Sequence, residues 1–143
     1  MADWTGIRAA IAAKAAAVSG IREGTSTKLS GVSVTPCVNI THVSDVNMND
    51  RGAGYEYRVS TVRGHLLVAK TADVGRAMDD VEVYAEALTV AFRSGVHLGY
   101  TNIVQDSWLD SWEAGSYEYA GVEFSGASLM FKVAVRENVT RTA

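Results

Sequence analysis

Tyr117-Glu-Tyr-Ala-Gly-Val-Glu-Phe-Ser-Gly-Ala-Ser-Leu-Met-Phe-Lys-Val-Ala-Val-Arg136 is the stretch whose reading decides the fold. From Ala127 onward the odd positions Ala127, Leu129, Phe131, Val133 and Val135 are apolar, the period of two expected of a half-buried strand. Val122 and Phe124 are apolar on even positions, so the buried side changes near Ser125-Gly126. A glycine at such a change predicts a bulge or bend, because one extra unpaired residue turns every later side chain over. The stretch reads as one long closing strand after a turn at Glu113–Ser116. Its message is structural, and no catalytic group stands out in it.

Working outward, Val139 to Ala143 reads as a loose tail, and Tyr100 to about Trp112 as the preceding strand. Before that, Val74, Ala77, Met78, Val81, Tyr84, Ala85, Leu88, Ala91 and Phe92 hold one face of a helix, with Asp73 as its cap and Gly95 as its stop. Such a helix is roughly 30 Å long. Tyr55 to Lys70 reads as another long strand, whose apolar parity moves from Tyr57 and Val59 to Val62, Leu66 and Val68. Asp45 to Gly54, rich in Asn, Asp and Gly, reads as a polar hairpin loop. Val32, Val34, Val38 and Ile40 alternate with polar neighbours as a strand, and Pro36 places it at a sheet edge or marks an irregularity. Gly24 to Gly31 reads as a loop. Trp4, Ile7, Ile11, Ala15 and Val18 form the stripe of an opening helix, capped by Asp3 and ended by Gly20.

The predicted order is α-β-β-α-β-β, an α+β fold with a mostly antiparallel sheet and both helices on one face. Tyr55-Glu-Tyr57 and Tyr117-Glu-Tyr119 echo one another, with Gly64 against Gly126 and Lys70 against Lys132 at the same offset. The echo suggests two long, bent strands in matching helix-hairpin units.

Length and composition agree with a single folded domain over 1–143: 48% of residues are hydrophobic and one is proline. The net charge of −3 opposes tight nucleic-acid binding, which needs clustered Lys and Arg. Cys37 is the single cysteine, so neither an internal disulfide nor a multi-cysteine metal site is available. The Ala-rich Ile11–Val18 segment is interrupted by Lys14 and lacks a basic flank, so it reads as a helix rather than a signal peptide. No apolar run has membrane-spanning length.

Asp45, Asn47 and Asn49 stand at positions one, three and five of a calcium-loop pattern, with Glu56 at twelve. The pattern fails at position six, where Asp50 replaces the turn-making glycine, and its flanks read as strands. His42, His65 and His97 are isolated and read as surface or hydrogen-bonded structural histidines. There is no G-x-S-x-G and no phosphate-binding loop, and no cofactor or metal is expected. Trp108 and Trp112 share strand parity, as do Tyr117 and Tyr119. They either pair across a hairpin or anchor an interface. Asp45, Asn47, Asn49, Asp50 and Arg51, with Trp108, Trp112 and Tyr117, are the candidate assembly residues.

The opening Met1-Ala-Asp-Trp-Thr-Gly-Ile-Arg-Ala-Ala10 and the closing Tyr119-Ala-Gly-Val-Glu-Phe-Ser-Gly-Ala127 resemble the tail terminators of long-tailed siphophages, in particular those of actinobacteriophages. The helix between two hairpins agrees in order, so the resemblance extends over nearly the whole chain in pattern and length. It implies a virion structural protein, not an enzyme. Such a protein is assembled in the host cytoplasm as a six-fold ring that caps the tail tube and joins it to the head connector. Implied partners are further copies of the chain, the tail tube protein and the connector or stopper. DNA would pass through the lumen without sequence-specific binding, and no membrane is involved. Six copies at −3 each carry −18, which would not hold DNA in transit. A stopper or adaptor of the same neck is the alternative in kind, and a small-molecule-binding α+β domain the alternative in class.

Overall fold

The computed structural model describes residues 4–26, 34–52, 55–70, 74–93, 98 and 104–138. The elements are α1 (Trp4–Ala16), β1 (Glu23–Thr25), β2 (Cys37–Gly52), β3 (Tyr55–Lys70), α2 (Val74–Ala91), β4 (Val104–Tyr119) and β5 (Val122–Asn138). They build an α+β fold in which one five-stranded sheet runs in the order β1-β2-β3-β5-β4. Only the β1–β2 pairing is parallel.

Alternation in the closing strand has its predicted consequence. Ala127, Leu129, Phe131, Val133 and Val135 are all fully buried, on the face that both helices cover. The stretch itself is a hairpin rather than one strand. Its turn is not at Glu113–Ser116, which lies inside β4, but at Ala120 and Gly121, between the partners Tyr119 and Val122. Both turn residues have positive φ, +52° and +78°, the requirement of a type I′ turn that follows the strand twist. Ala-Gly is an uncommon pair for that turn, so the sequence signal is weak.

The change of buried side near Ser125-Gly126 has another cause than the expected bulge in β5. The β4–β5 register runs unbroken through these residues, and the extra residue is Val68 of β3, between the pairs Leu67↔Gly126 and Ala69↔Ser125. Phe124 is buried because the other side of the sheet carries a second, small cluster with Cys37 and Leu67, bordered by Tyr117 and Tyr119. Gly126 is needed where it stands. A Cβ there would collide with the carbonyl oxygen of Leu66 and lie 2.9 Å from its carbon.

The echo between Tyr55 and Tyr117 does not survive in three dimensions. Tyr55 opens β3, whereas Tyr117 lies near the end of β4, and the equivalent window is broken by the turn.

Asp45 to Gly52 is not a loop. It continues β2 as the partner of β3, in the register Asp45↔Thr61 to Gly52↔Tyr55, with Thr41, Ser44 and Asn49 as extra residues. Cross-strand pairing outweighed the turn-rich composition here, because each bulge accommodates a polar residue without ending the ladder. Of the expected strand at 32–40, residues 37–40 are strand, Val34 to Pro36 form a bend, so the proline does not need to donate to a ladder, and 32–33 lie outside the described residues. The Pro36 carbonyl accepts the Arg22 N–H at 2.8 Å, and that contact aligns Glu23–Thr25, of which Gly24 and Thr25 were expected as loop, beside Cys37–Asn39.

Both helices keep their predicted faces where side chains are described; those of Val74 and Ala77 lie outside the described residues. In α1, Ile7, Ile11 and Ala15 are fully buried and Trp4 and Val18 pack at the margin. The α1 residue Arg8 sends its guanidinium to the carbonyl of the bulged Thr41 at 3.2 Å, pinning the helix to β2. In α2, Val81, Ala85, Leu88 and Phe92 are buried, and Phe92 meets Phe131 edge-on at 5.0 Å. The cap residues Asp3, Asp73 and Gly95 and the tail 139–143 lie outside the described residues.

Candidate functional site

The candidate assembly residues are distributed over β2 and β4. Asp45, Asn47, Asp50 and Arg51 are spread along β2 opposite Thr61, Val59, Tyr57 and Glu56, and Asn49 is the bulged residue between Met48 and Asp50. The positions of their side chains lie outside what is described. An extended strand advances about 3.3 Å per residue, so its ligands cannot wrap one cation as a helix-flanked loop does. Among the described residues no group of three His, Cys, Asp or Glu side chains is placed to hold a metal.

Trp108 and Trp112, read as sharing one face, are separated by the bulge at Asp110. Trp108 pairs with Lys132 and Trp112 with Leu129, two neighbours on opposite sides of the sheet. Trp112 therefore packs against the main core, while the Trp108 indole N–H points to Asp110 Oδ1 at 3.4 Å. A cleft of about 380 Å³ opens at the β4 edge between Thr89 of α2, Phe92 and Arg93 just after that helix, and Asp106, Trp108 and Leu109. Two of its polar groups are already engaged: the Thr89 hydroxyl donates to the Ala85 carbonyl at 2.9 Å, and Asp106 Oδ1 accepts the Ser107 N–H at 2.8 Å.

Tyr117 belongs to the best-defined polar constellation in the structure, on the side of the sheet away from α1 and α2. Its ring stacks on His65, with centroids 4.4 Å apart and planes inclined by 26°. Tyr119 meets the same imidazole edge-on, and its hydroxyl lies 2.8 Å from His65 Nδ1. Asn39 donates through Nδ2 to the Tyr119 oxygen at 3.3 Å, and the Thr25 hydroxyl donates to Asn39 Oδ1 at 2.9 Å. Residues of β1, β2, β3 and β4 thus meet around one imidazole.

The electrostatics of this group are those of a half-buried neutral network. Burial, with the nearby His42 adding to it, holds His65 below the ordinary imidazole value. Burial likewise raises Tyr119, against the opposing hydrogen bond from Asn39. The Cys37 thiol is pushed up to about 11 by burial and then by the Glu23 charge, so it stays protonated and unreactive near neutral pH. Among the described residues no carboxylate hydrogen-bonds to His65, so the imidazole lacks the orienting partner of an acid-base pair. The arrangement ties strands together.

His65 fits the structural histidine expected from its isolation in sequence. Its link to Asn39 was beyond sequence reading, because the register Asn39↔His65 follows from the bulges of β2 and not from any motif. No protein-family profile matches the chain, and no curated protein matches it.

Proposed function

We propose that this chain is a phage virion structural protein of the tail terminator kind: a ring that caps the tail tube, ends tube polymerisation and forms the joint to the head connector. The observation that carries the reading is the mismatch between sheet and helices. Strands of 16 and 17 residues extend roughly 50 Å, whereas the 18 residues of α2 extend only about 27 Å. Among the described residues the sheet therefore outruns its helical cover, as suits a subunit that reaches its neighbours through strands and hairpins. Among the described residues β1 covers β2 only from Cys37 to Asn39, and no strand lies beyond β4, so both sides of the sheet end in long edges. Bulges interrupt both edges, which limits indiscriminate pairing and favours a defined partner.

Tail assembly is the test. A virus that encodes this chain but cannot express it should accumulate unjoined heads and overlong tails. Tails of normal length on filled heads would sink the proposal. A joint defect with tails of correct length would move the chain to the stopper or adaptor position. Purified protein added to tube ends should bind there as rings of six 15.3 kDa protomers, countable by electron microscopy.

A further inference from the structure

Three large apolar side chains are exposed among the described residues, and two of them belong to α2: Val83 at 64% and Val90 at 55%. Half-buried Ala87 stands between them, and steps of four and three residues put all three on one outward stripe. The opposite face, with Val81, Ala85 and Leu88, is in the core. Beside the stripe runs a groove of about 330 Å³, lined by Lys14, Ala17, Val18, Ala87, Val90 and Ala91. Lys14 Nζ stands 5.7 Å from the centroid of the Phe92 ring, and a Cβ on Gly20 would come within 2.7 Å of the Tyr84 ring. The chain from Lys14 to Gly20 therefore runs antiparallel to α2, with Lys14 at the C-terminal end of the groove.

Charge is divided along the same helix. Asp79, Asp80, Glu82 and Glu86 are exposed. With Arg76, whose side chain lies outside the described residues, four acidic charges and one basic charge leave −3 over 76–86. The far end carries the exposed Arg93 and, across the groove, Lys14. Among the described residues none of these six side chains from Lys14 to Arg93 is ion-paired within the chain. A surface that is acidic at one end, apolar in the middle and basic at the other complements itself when turned end for end.

We propose that the free chain pairs with a second copy through α2, in an antiparallel two-fold contact centred on Ala87. Val83 of one copy then falls opposite Ala91 of the other and enters its groove, and the small Ala87 lets the two helix axes approach closely. Asp80 of one copy lies toward Lys14 of the other, and Arg93 adds to that positive end. Glu82 and Glu86 lie about 100° or more round the helix from Ala87, outside the contact. A parallel pairing would set acid against acid. One helix face and a groove make a small interface, at or below about 1,200 Å² in total, so the pairing is transient and depends on concentration. An isologous contact joins two copies and is then closed, so it is not the contact that repeats around a six-fold ring. It uses the helical face and none of the edge strands, and it stands or falls apart from the proposed ring.

Sedimentation velocity of the purified chain is the test. From about 1 μM to about 1 mM the mean mass should rise from that of a 15.3 kDa protomer toward twice that value. Ala87→Glu sets like charges against each other at the centre and should hold the chain monomeric throughout, with an unchanged melting temperature. Asp80→Lys and Lys14→Glu should each weaken pairing about tenfold. An equimolar mixture of these two variants should restore it, because both contacts of the mixed pair again join opposite charges. Melting curves of each variant separate loss of the contact from loss of the fold. A monomer at every concentration would overturn the pairing, as would methyl contacts of Val83 and Val90 with other parts of the same chain. Self-association that Ala87→Glu leaves intact would assign it to the sheet edges and overturn the proposal, and so would single variants that mixing does not rescue.

Discussion

Ala120 is the residue whose conformation is most at odds with its chemistry. At φ +52° its Cβ crowds the following carbonyl, a cost of about 1–2 kcal/mol for an L-residue in the left-handed region. Glycine removes that cost but loses about 0.5–1 kcal/mol of chain entropy on folding. Ala120→Gly should therefore stabilise the protein by about 0.5–1 kcal/mol, measured by denaturant titration. A loss of stability would mean that the I′ turn is not at 120–121. Leu88 presents the opposite case, a fully buried side chain between α2 and the sheet. Leu88→Ala should cost about 2–5 kcal/mol, and a loss near zero would contradict this packing. His65 sets a pH dependence at the same scale. Its folded value lies below the unfolded 6.5, so the unfolded chain binds the proton more readily. The stability it contributes is whole above 6.5 and is lost as pH falls toward its folded value. Stability curves of the wild type and His65→Gln should run parallel above neutrality, and the wild-type curve should fall relative to the variant's below 6.5.

Among the elements, bulges decide what faces where. Asp110 puts Trp108 and Trp112 on opposite sides, and Val68 of β3 allows Leu66, Val68 and Ala69 all to reach the main core. The β2–β3 hairpin is where element and assembly meet. Its distal half is paired strand, so it adds a stiff extension to the sheet rather than a mobile loop. Joining Met48 to Arg58, which are register partners, through Asn-Gly would shorten the hairpin without changing the pairing below it. The shortened chain should still melt cooperatively, because the buried residues of β2 and β3 from Cys37 to Ile40 and from Ser60 to Val68 remain. Its incorporation into virions should fall. Wild-type incorporation would assign the extension no part in assembly, and loss of the cooperative melt would mean that the extension supports the core.

For the whole molecule, the division of faces matters most. One side of the sheet is closed by α1 and α2 over the large apolar core; the other bears the small Cys37, Leu67 and Phe124 cluster and the His65 network. Much of this was legible in the sequence. The alternation from Ala127 to Val135, the stripes of both helices and the bounds Tyr55–Lys70 of β3 follow from apolar periodicity, which burial on one side of an element imposes directly on the chain. Pairing across the sheet was not legible in the same way. Whether Asp45–Gly52 forms a loop or a strand depends on the partner β3 offers, and a turn-rich composition cannot report that partner. The meeting of Thr25, Asn39, His65 and Tyr119 depends on register, and register depends on single extra residues at Thr41 and Val68. A shift of one residue exchanges the two faces of a strand while leaving its composition unchanged. The apolar face could therefore be read from the sequence, but the polar network waited for the tertiary structure.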